Sequence, residues 1–319
     1  MNVLVFKLVA QRIALGLLLL LAVSALIFAG TELLPGDVAQ SILGQSATPE
    51  AVANLRREMG LDQPAIQRYF SWLGSALQGD LGVSLSNQRD IAEAIGDRLG
   101  NTLFLAFWTA LIAVPLAILL GLLAVRYQNR WPDRLISGST LTAISLPEFF
   151  VGYIMIYVFA VHLQWFPSLS TVHSGMSLGE RLYAITLPVA TLILIILAHM
   201  MRMTRAALLN VMQSPYIETA ELKGLSGLKV IWRHAMPNAI SPVVNVVMIN
   251  LAFLVVGVVV IEVVFVYPGL GQFLIDHVAR RDLPVVQACG LIFATVYILV
   301  NMLADVIAIL ANPRLRHPK

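Results

Sequence analysis

Residues 239–266 read AISPVVNVVMINLAFLVVGVVVIEVVFV, and Glu262 is the only formally charged residue in this run. A helix of about 20 apolar residues is long enough to cross the roughly 30 Å of hydrocarbon in a bilayer. Apolar residues make up 58% of the 319 residues and charged residues only 12%, whereas about 25% of a soluble domain is charged. The sequence therefore predicts an all-α integral membrane protein.

Five further apolar runs are long enough to be transmembrane helices. Together with the first run, the predicted spans are 9–30, 101–125, 137–163, 184–205, 239–266 and 285–311. The run at 9–30 has a secretory signal peptide as its alternative, because Lys7 and Arg12 precede it. Ile13–Gly30 is uncharged, however, and is longer than the usual core of a signal peptide. We therefore expect it to remain as a transmembrane helix.

The distribution of basic residues predicts the orientation of the chain. Short cytoplasmic loops of membrane proteins carry an excess of Lys and Arg. If the N-terminus is cytoplasmic, thirteen of the 21 Lys and Arg lie on the cytoplasmic side. The short external loops then hold only Arg181, Arg280 and Arg281. We therefore expect six transmembrane helices with both termini in the cytoplasm.

The spacing of the spans divides the chain into three parts. These are an N-terminal transmembrane helix (1–30), an external helical segment (31–100) and a core of five spans (101–319) with a cytoplasmic loop at 206–238 between spans four and five.

Three helices are predicted in the external segment. Their starts are marked by Thr48 before Pro49, by Pro64, and by Asp90 with Glu93 three residues later, a capping box. The segment is either a small cap that packs on the bundle or a docking surface for an external partner. The sequence alone favours the cap.

The cytoplasmic loop has its own helix signals. Ser214 and Pro215 mark a helix start, and Gly224 marks its end. A second helical stretch is predicted at Leu228–Met236, ended by Pro237. Such a helical hairpin fits a groove on a cytoplasmic partner, or it lies on lipid headgroups as an amphipathic helix. The residues alone do not separate these two interpretations.

The hairpin sequence resembles the "EAA" loop of binding-protein-dependent ABC importer permeases. In that family the loop reads Glu-Ala-Ala, three residues, Gly, nine residues, Ile, one residue, Leu-Pro. Glu218, Ala220, Gly224 and Pro237 keep this spacing. The departures from the family pattern are Thr219, His234 and Met236.

Other blocks along the chain resemble the dipeptide/oligopeptide (peptide/nickel) branch of the same family. They are Gly60–Pro64, Gly79–Ser84, Tyr267–Gly271, Asp282–Gln287 and the tail Asn312–Arg316. The resemblance covers almost the whole chain, in order. The long segment after the first span is typical of the first of the two permease subunits in such importers.

The resemblance implies a permease subunit in a bacterial cytoplasmic (inner) membrane that translocates peptides or similar small solutes. Its expected partners are a second permease subunit, two cytoplasmic ATPase subunits, an extracytoplasmic solute-binding protein and membrane lipid. Glu218, Thr219, Ala220, Gly224, Leu225 and Pro237 are the expected ATPase-coupling residues. The chain has no Gly-x-x-x-x-Gly-Lys-Ser/Thr loop. We therefore expect no catalysis and no cofactor in this chain, with ATP and Mg bound by the partner ATPases.

Three carboxylates fall inside predicted spans, namely Glu148, Glu262 and Asp305. Ionisable residues in a membrane are costly and often functional. We expect each to be paired within the bundle or to reach an interface, rather than to form a proton relay. Glu148 is the best candidate for a translocation cavity, and Phe149 and Asn245 are the other cavity candidates.

Two other functions fit the sequence less well than that of a permease. A proton-coupled secondary transporter that works without an ATPase predicts inverted repeats, and residues 1–163 and 164–319 show no convincing match. An intramembrane enzyme needs a nucleophile with its base or a metal-ligand pattern, and the six histidines lack such spacing. Cys289 is the only cysteine, which excludes an intrachain disulfide. A net charge of +3 does not suggest nucleic-acid binding. The substrate cannot be read from the sequence.

Overall fold

The computed structural model describes residues 3–33, 38–43, 47–58 and 60–311. Within these ranges the chain is helical and contains one isolated antiparallel bridge, between Val83 and Asp90, but no strand. The tail Asn312–Arg316, one of the blocks that resemble the permease family, lies outside the described residues.

The helices are numbered in chain order. They are α1 (Val3–Glu32), α2 (Val38–Leu43), α3 (Pro49–Glu58), α4 (Ala65–Leu77), α5 (Ile91–Arg126), α6 (Trp131–Ile144), α7 (Glu148–Met155), α8 (Leu178–Ala184), α9 (Thr186–Met212), α10 (Pro215–Leu222), α11 (Gly227–Val230), α12 (Met236–Val264), α13 (Leu270–Ala279) and α14 (Leu283–Ala311). Two π-helical stretches continue α7 (Ile156–His162) and α11 (Ile231–Ala235).

Five helical segments are long and apolar enough to cross a membrane. They are Phe6–Glu32, Ile91–Arg126, Thr186–Met212, Gly227–Val264 and Leu283–Ile307. A sixth candidate is the pair α6 and α7, which a bend of 104° separates. The prediction of an all-helical bundle with several spans is confirmed. The run predicted as one span at 137–163 is instead two helices.

The bend between α6 and α7 has a local cause. Ser145 and Leu146 are not helical, and Pro147 precedes the first residue of α7. Proline lacks the amide hydrogen that would continue the preceding helix, and it disfavours a helical conformation at the residue before it. The proline therefore ends α6 and begins α7 in a new direction.

The passes of the chain alternate between two ends of the bundle, which we name after Glu32, where α1 ends, and Met212, where α9 ends. Helix α9 packs against α5, α6, α7 and α12 and is the centre of the bundle. The largest apolar cluster includes Leu105, Leu192, Met200, Val258 and Tyr267. Helix α1 packs mainly on α14 at the edge.

The segment at the Glu32 end has the predicted helix starts. The Thr48 hydroxyl accepts a hydrogen bond from Ala51 N (3.3 Å), and α3 begins at Pro49. Helix α4 begins after Pro64, and the Asp90 carboxylate caps the third predicted start by accepting a hydrogen bond from Glu93 N (2.9 Å). That third helix is not separate, because it continues without a break as the membrane-spanning α5. The expected boundary at residue 100 therefore falls within a helix.

Asp282 joins this segment to the core. Its carboxylate accepts hydrogen bonds from Ser84 Oγ (2.6 Å), Leu85 N (3.1 Å) and Ser86 N (3.1 Å). Burial opposes ionisation of Asp282, but these hydrogen bonds outweigh it and hold the pKa of the carboxyl below its ordinary value of 3.8. The ionised side chain thereby fixes the turn at Ser84–Ser86 beside the start of α14.

We predict that this turn loses its hydrogen-exchange protection only in strong acid. Because the pKa of Asp282 is lower in the folded state than in the unfolded state, the ionised carboxylate stabilises the turn fully at any pH above the unfolded pKa near 3.8. This stabilisation is lost as the pH falls through the lower pKa of the folded state. Asp282→Asn should lose protection at Leu85 and Ser86 already at neutral pH, by about 1–3 kcal/mol. Hydrogen-exchange mass spectrometry, corrected for the intrinsic pH dependence, measures this.

Asp276→Asn is the control for that experiment, because Asp276 is exposed and its side chain makes no hydrogen bond with the described residues. Equal protection of the turn in wild type and Asp282→Asn at neutral pH would contradict the assignment.

Candidate functional site

The hairpin at the Met212 end is built around a small apolar core. Ile217 and Ala220 on α10 pack against Val230 and Ala235 on the second arm, and all four are buried. Alanine at positions 220 and 235 lets the two arms approach closely. The predicted hairpin between spans four and five is present as α10 and α11.

The proposed coupling residues differ in exposure. Glu218 and Thr219 are exposed, while Leu225 is half-buried against the hairpin core. The Thr219 hydroxyl donates to Pro215 O (3.0 Å) in its own helix. The Glu218 carboxylate lies in the first turn of α10, where its negative charge interacts favourably with the helix dipole. It makes no hydrogen bond or ion pair with the described residues.

Gly224 is required by backbone conformation. Its φ is +75°, in the left-handed region, and a Cβ added there would meet nothing within 4 Å. Gly224 follows the end of α10, as the sequence predicts. Glycine is needed there to end α10 and turn the chain.

Pro237 does not end the second arm, contrary to our prediction. Helical structure continues from Gly227 to Val264, and Pro237 lies in the first turn of α12. The preceding stretch Ile231–Ala235 is π-helical, with its hydrogen bonds spaced one residue wider than in an α-helix. The wider hydrogen-bond spacing accommodates Pro237, which has no backbone N–H to donate. The second arm of the hairpin therefore continues directly into the span.

The hairpin exposes large apolar side chains that the sequence analysis did not single out. Leu222 is 83% exposed, and Tyr216, Leu228 and Trp232 are also exposed. An exposed apolar surface of this kind is available to a protein partner or to lipid. In the sequence, this surface is indicated by the apolar residues on the outer side of both arms of the hairpin.

Two contacts tie the hairpin end to neighbouring helices. The guanidinium of Arg205, on α9, donates two hydrogen bonds of 2.8 Å to Asp133 in the first turn of α6. The guanidinium of Arg126, at the end of α5, lies beside Gly227, 3.6 Å from the position of an added Cβ. Arg205 and Asp133 thus form a bidentate pair that joins α9 to α6.

Glu148 lies at the break between α6 and α7 and is half-buried. Its Oε2 is 3.5 Å from the position that a Cβ on Gly257 of α12 would occupy. Its carboxylate makes no hydrogen bond or ion pair in the part of the chain that the structure describes. Phe149 is exposed beside it. Asn245 is exposed on α12 but lies twelve residues, about 18 Å, from Gly257, so these candidates do not form one site.

Glu262 is fully buried in α12, and its carboxylate is satisfied. It accepts hydrogen bonds from Thr102 Oγ1 (2.6 Å), Gly271 N (2.7 Å) and Gln272 N (3.2 Å). The two amides belong to the first turn of α13, where a helix has unpaired N–H groups and a positive dipole end. A Cβ on Gly269 would overlap the carboxyl group. Glu262 therefore has a structural role.

Asp305 is also paired, as expected. Its carboxylate is 3.0 Å from Arg12 Nη1 in α1. Of the three carboxylates in predicted spans, Glu148 is thus the one without a partner among the described residues. Those residues also contain no group of three or more His, Cys, Asp or Glu that could hold a metal ion.

Comparisons with known proteins identify the class. Residues 113–317 match the family model described as "Binding-protein-dependent transport system inner membrane component", and residues 5–106 match the model of its N-terminal part. These two matches cover almost the whole chain. The fold and the matches define a multi-span permease component of the bacterial inner membrane.

Curated relatives identify the branch to which the chain belongs. The glutathione transport system permease protein GsiC of Escherichia coli (strain K12) is 37% identical over 298 residues, which cover 93% of this chain and 95% of the relative. GsiC of Shigella boydii serotype 4 (strain Sb227) is 38% identical over 304 residues, with the same coverage. The chain therefore belongs to the binding-protein-dependent ABC importer permeases, in their peptide/nickel branch.

A solved structure has a similar fold. The inward-facing MetNI methionine ABC transporter matches with a TM-score of 0.51 and 18% identity, over 70% of this chain and 96% of the other. Permeases of this family are membrane components that work with an ATPase and a binding protein and are not themselves catalytic.

We predict that Gly271→Ala destabilises the protein. The added Cβ would lie 2.7 Å from Val259 Cα, and backbone must move to make room for it. Overpacking of this kind costs about 1–3 kcal/mol, so the apparent melting temperature in detergent should fall by several degrees.

Gly96→Ala is the control for this change. An added Cβ there meets nothing within 4 Å in the helix α5, and alanine is favoured over glycine in a helix. Equal melting temperatures for Gly271→Ala and wild type would refute the close contact between α12 and α13.

Proposed function

We propose that this chain is the translocating subunit of an ATP-driven importer for peptides or similar small solutes, and that the hairpin 215–237 couples it to a separate ATPase. The observation that carries the proposal is the surface of the hairpin. The exposed Glu218 carboxylate and the exposed side chains Leu222, Leu228 and Trp232 all lie at the Met212 end.

The chemistry of this surface favours a protein partner. The two arms pack tightly around Ala220, which holds the hairpin rigid. The Glu218 carboxylate supplies charge, and the exposed apolar side chains supply contact area. A rigid amphipathic helix inserted into a groove is a common mode of recognition. Glu218, Thr219, Ala220, Gly224, Leu225 and Pro237 are our proposed coupling residues, with Ala220, Gly224 and Pro237 acting by shaping the hairpin.

The assembled importer should contain more than this chain. We propose two cytoplasmic ATPase subunits that bind ATP and Mg, a second permease subunit and an external solute-binding protein. The hairpin then faces the cytoplasm, as do both termini. The names of the relatives, glutathione transport permeases, support a peptide-like solute.

Glu148 is our candidate for the translocation cavity. A carboxylate against lipid is costly, so an unpaired carboxylate within a membrane faces a water-filled cavity or a partner group. Its position at the bend of the sixth candidate span and beside Gly257 of α12 suits a cavity wall. Phe149 would lie on the same wall, whereas Asn245 would lie nearer the Met212 end.

A secondary transporter that works without an ATPase is not favoured, because the chain belongs to a family of ABC permeases. Gentle purification of the complex from its native membrane tests the composition directly. Recovery of two ATPases and a permease partner supports the proposal, and an isolated chain that transports solute without them contradicts it.

We predict that Glu218→Lys uncouples ATP hydrolysis from uptake in the reconstituted complex. A hydrogen bond to a charged group is worth about 1.5–3 kcal/mol, so losing one should lower solute uptake per ATP hydrolysed about tenfold or more. Uptake of labelled peptide and phosphate release, measured in the same proteoliposomes, give the ratio.

Glu50→Lys is the matched control, because Glu50 is also an exposed glutamate in the first turn of a short helix that begins with proline. Each substitution places a positive charge in the first turn of a helix, where it opposes the helix dipole. If the two variants lower the uptake ratio to the same extent, Glu218 has no special part in coupling.

We also predict that position 148 is in contact with water. In a Cys289→Ala background, Glu148→Cys should react with a membrane-impermeant thiosulfonate at least about ten times faster than Leu111→Cys, because only a hydrated thiol ionises readily. Leu111 is an exposed apolar residue on α5. Equal rates at both positions would exclude the cavity assignment.

A further inference from the structure

Helix α4 (Ala65–Leu77), in the segment that follows α1, exposes a narrow apolar stripe. Ile66 is 72%, Phe70 63% and Leu77 81% exposed. With 100° between successive residues of a helix, these side chains and the half-buried Leu73 fall within about 60° of each other. No described part of the chain covers this stripe.

A different side of α4 packs on α1. The Tyr69 hydroxyl is 2.9 Å from Ser24 Oγ and 3.4 Å from Leu21 O. The rings of Tyr69 and Trp72 contact Phe28, with centroids 5.5 and 6.0 Å apart. The contact is therefore aromatic, and the one buried polar group in it is hydrogen-bonded.

The polar residues of α4 lie on a third side. Gln67, Ser71 and Ser75 fall about 130° from the α1 contact in one direction, and the apolar stripe falls about 100° from it in the other. A helix with this arrangement, placed beside a membrane span, can present one edge to water and the opposite edge to hydrocarbon.

The contacts with α1 set the direction of these edges. Arg68, at the polar edge, pairs with Glu32 at the end of α1. Tyr69, nearer the apolar edge, reaches Ser24, eight residues or about 12 Å further into the span. The polar edge therefore points out along α1, and the apolar edge points toward the middle of the bilayer.

The depth of α4 follows from the same contacts. The uncharged run of α1 between Arg12 and Glu32 matches the roughly 20 residues that cross the hydrocarbon. Phe28 and Ser24 lie inside this run, so α4 lies beside the span and not beyond its end. Amphipathic helices that bind a membrane surface sit at a comparable depth, about 5–10 Å into the boundary between headgroups and acyl chains.

We propose that α4 is an interfacial helix at the Glu32 end of the bundle and that Ile66, Phe70 and Leu77 are immersed in the lipid of that leaflet. Trp72 and Tyr69 lie at the level where such rings are enriched in membrane proteins. Lipid holds the first span and the following segment together on the side that the bundle leaves open. This inference does not rest on the coupling function of the hairpin.

Spin-label accessibility tests the proposal in the complete transport complex in proteoliposomes. In a Cys289→Ala background, nitroxide labels are placed singly at Ile66→Cys and Phe70→Cys, with Gln67→Cys and Ser71→Cys as controls on the polar side. Power saturation then compares collision with oxygen, which concentrates in lipid, and with a water-soluble nickel chelate. Uptake by each variant shows that the complex has assembled.

We expect the oxygen-to-nickel accessibility ratio at positions 66 and 70 to exceed the ratio at positions 67 and 71 severalfold. Nickel access at 66 and 70 as high as at the controls means that the stripe faces water, which overturns the proposal. Low access to both reagents means that a protein, such as the second permease or a solute-binding protein, covers the stripe. That result also overturns it.

Discussion

Among the described residues, Glu262 is the carboxylate with no exposed surface, and it lies in a region where an unsatisfied polar group is costly. Glu262 lies on α12, and its hydrogen-bond partners come from two other elements, α5 and α13. Thr102 of α5 donates to it and at the same time accepts from Leu270 N (2.8 Å), while Gly271 N at the start of α13 donates directly. Removing any one of these donors leaves a buried carboxyl group short of a hydrogen bond. The positions of α5, α12 and α13 at the Glu32 end are therefore mutually dependent.

The cost of an unpaired charge within the membrane also distinguishes the roles of the other two carboxylates in the spans. Asp305 is neutralised by Arg12, and Glu262 is held by backbone and hydroxyl donors. Both have an internal structural reason to be there. Glu148 has no such reason among the described residues, and it lies at the break between α6 and α7. This difference is why we propose Glu148, and not the other two, for the wall of a translocation cavity.

Sequence patterns predicted the features that depend on neighbouring residues. Hydropathy located the long helices, and the caps at Thr48 and Asp90 were placed correctly, because these signals act within one turn. They did not show that α5 continues through residue 100, nor that Pro237 would be accommodated by a π-helical stretch. The pairing of Asp133 with Arg205 was also missed, because it joins residues 72 apart. The pair is a tertiary contact, whereas the other two features concern how far a helix continues past a start or stop signal.

A series of contacts also joins the hairpin to the break beside Glu148. Helix α9 runs from the centre of the bundle to α10, and Arg205 holds Asp133 of α6 through two parallel hydrogen bonds of 2.8 Å. A bidentate pair resists both sliding and rotation, so α6 follows a displacement of α9. The three residues after α6 are not helical and have the least resistance to a change in backbone angles. A force applied to the hairpin would therefore be absorbed at the position of Glu148, where the solute is proposed to pass.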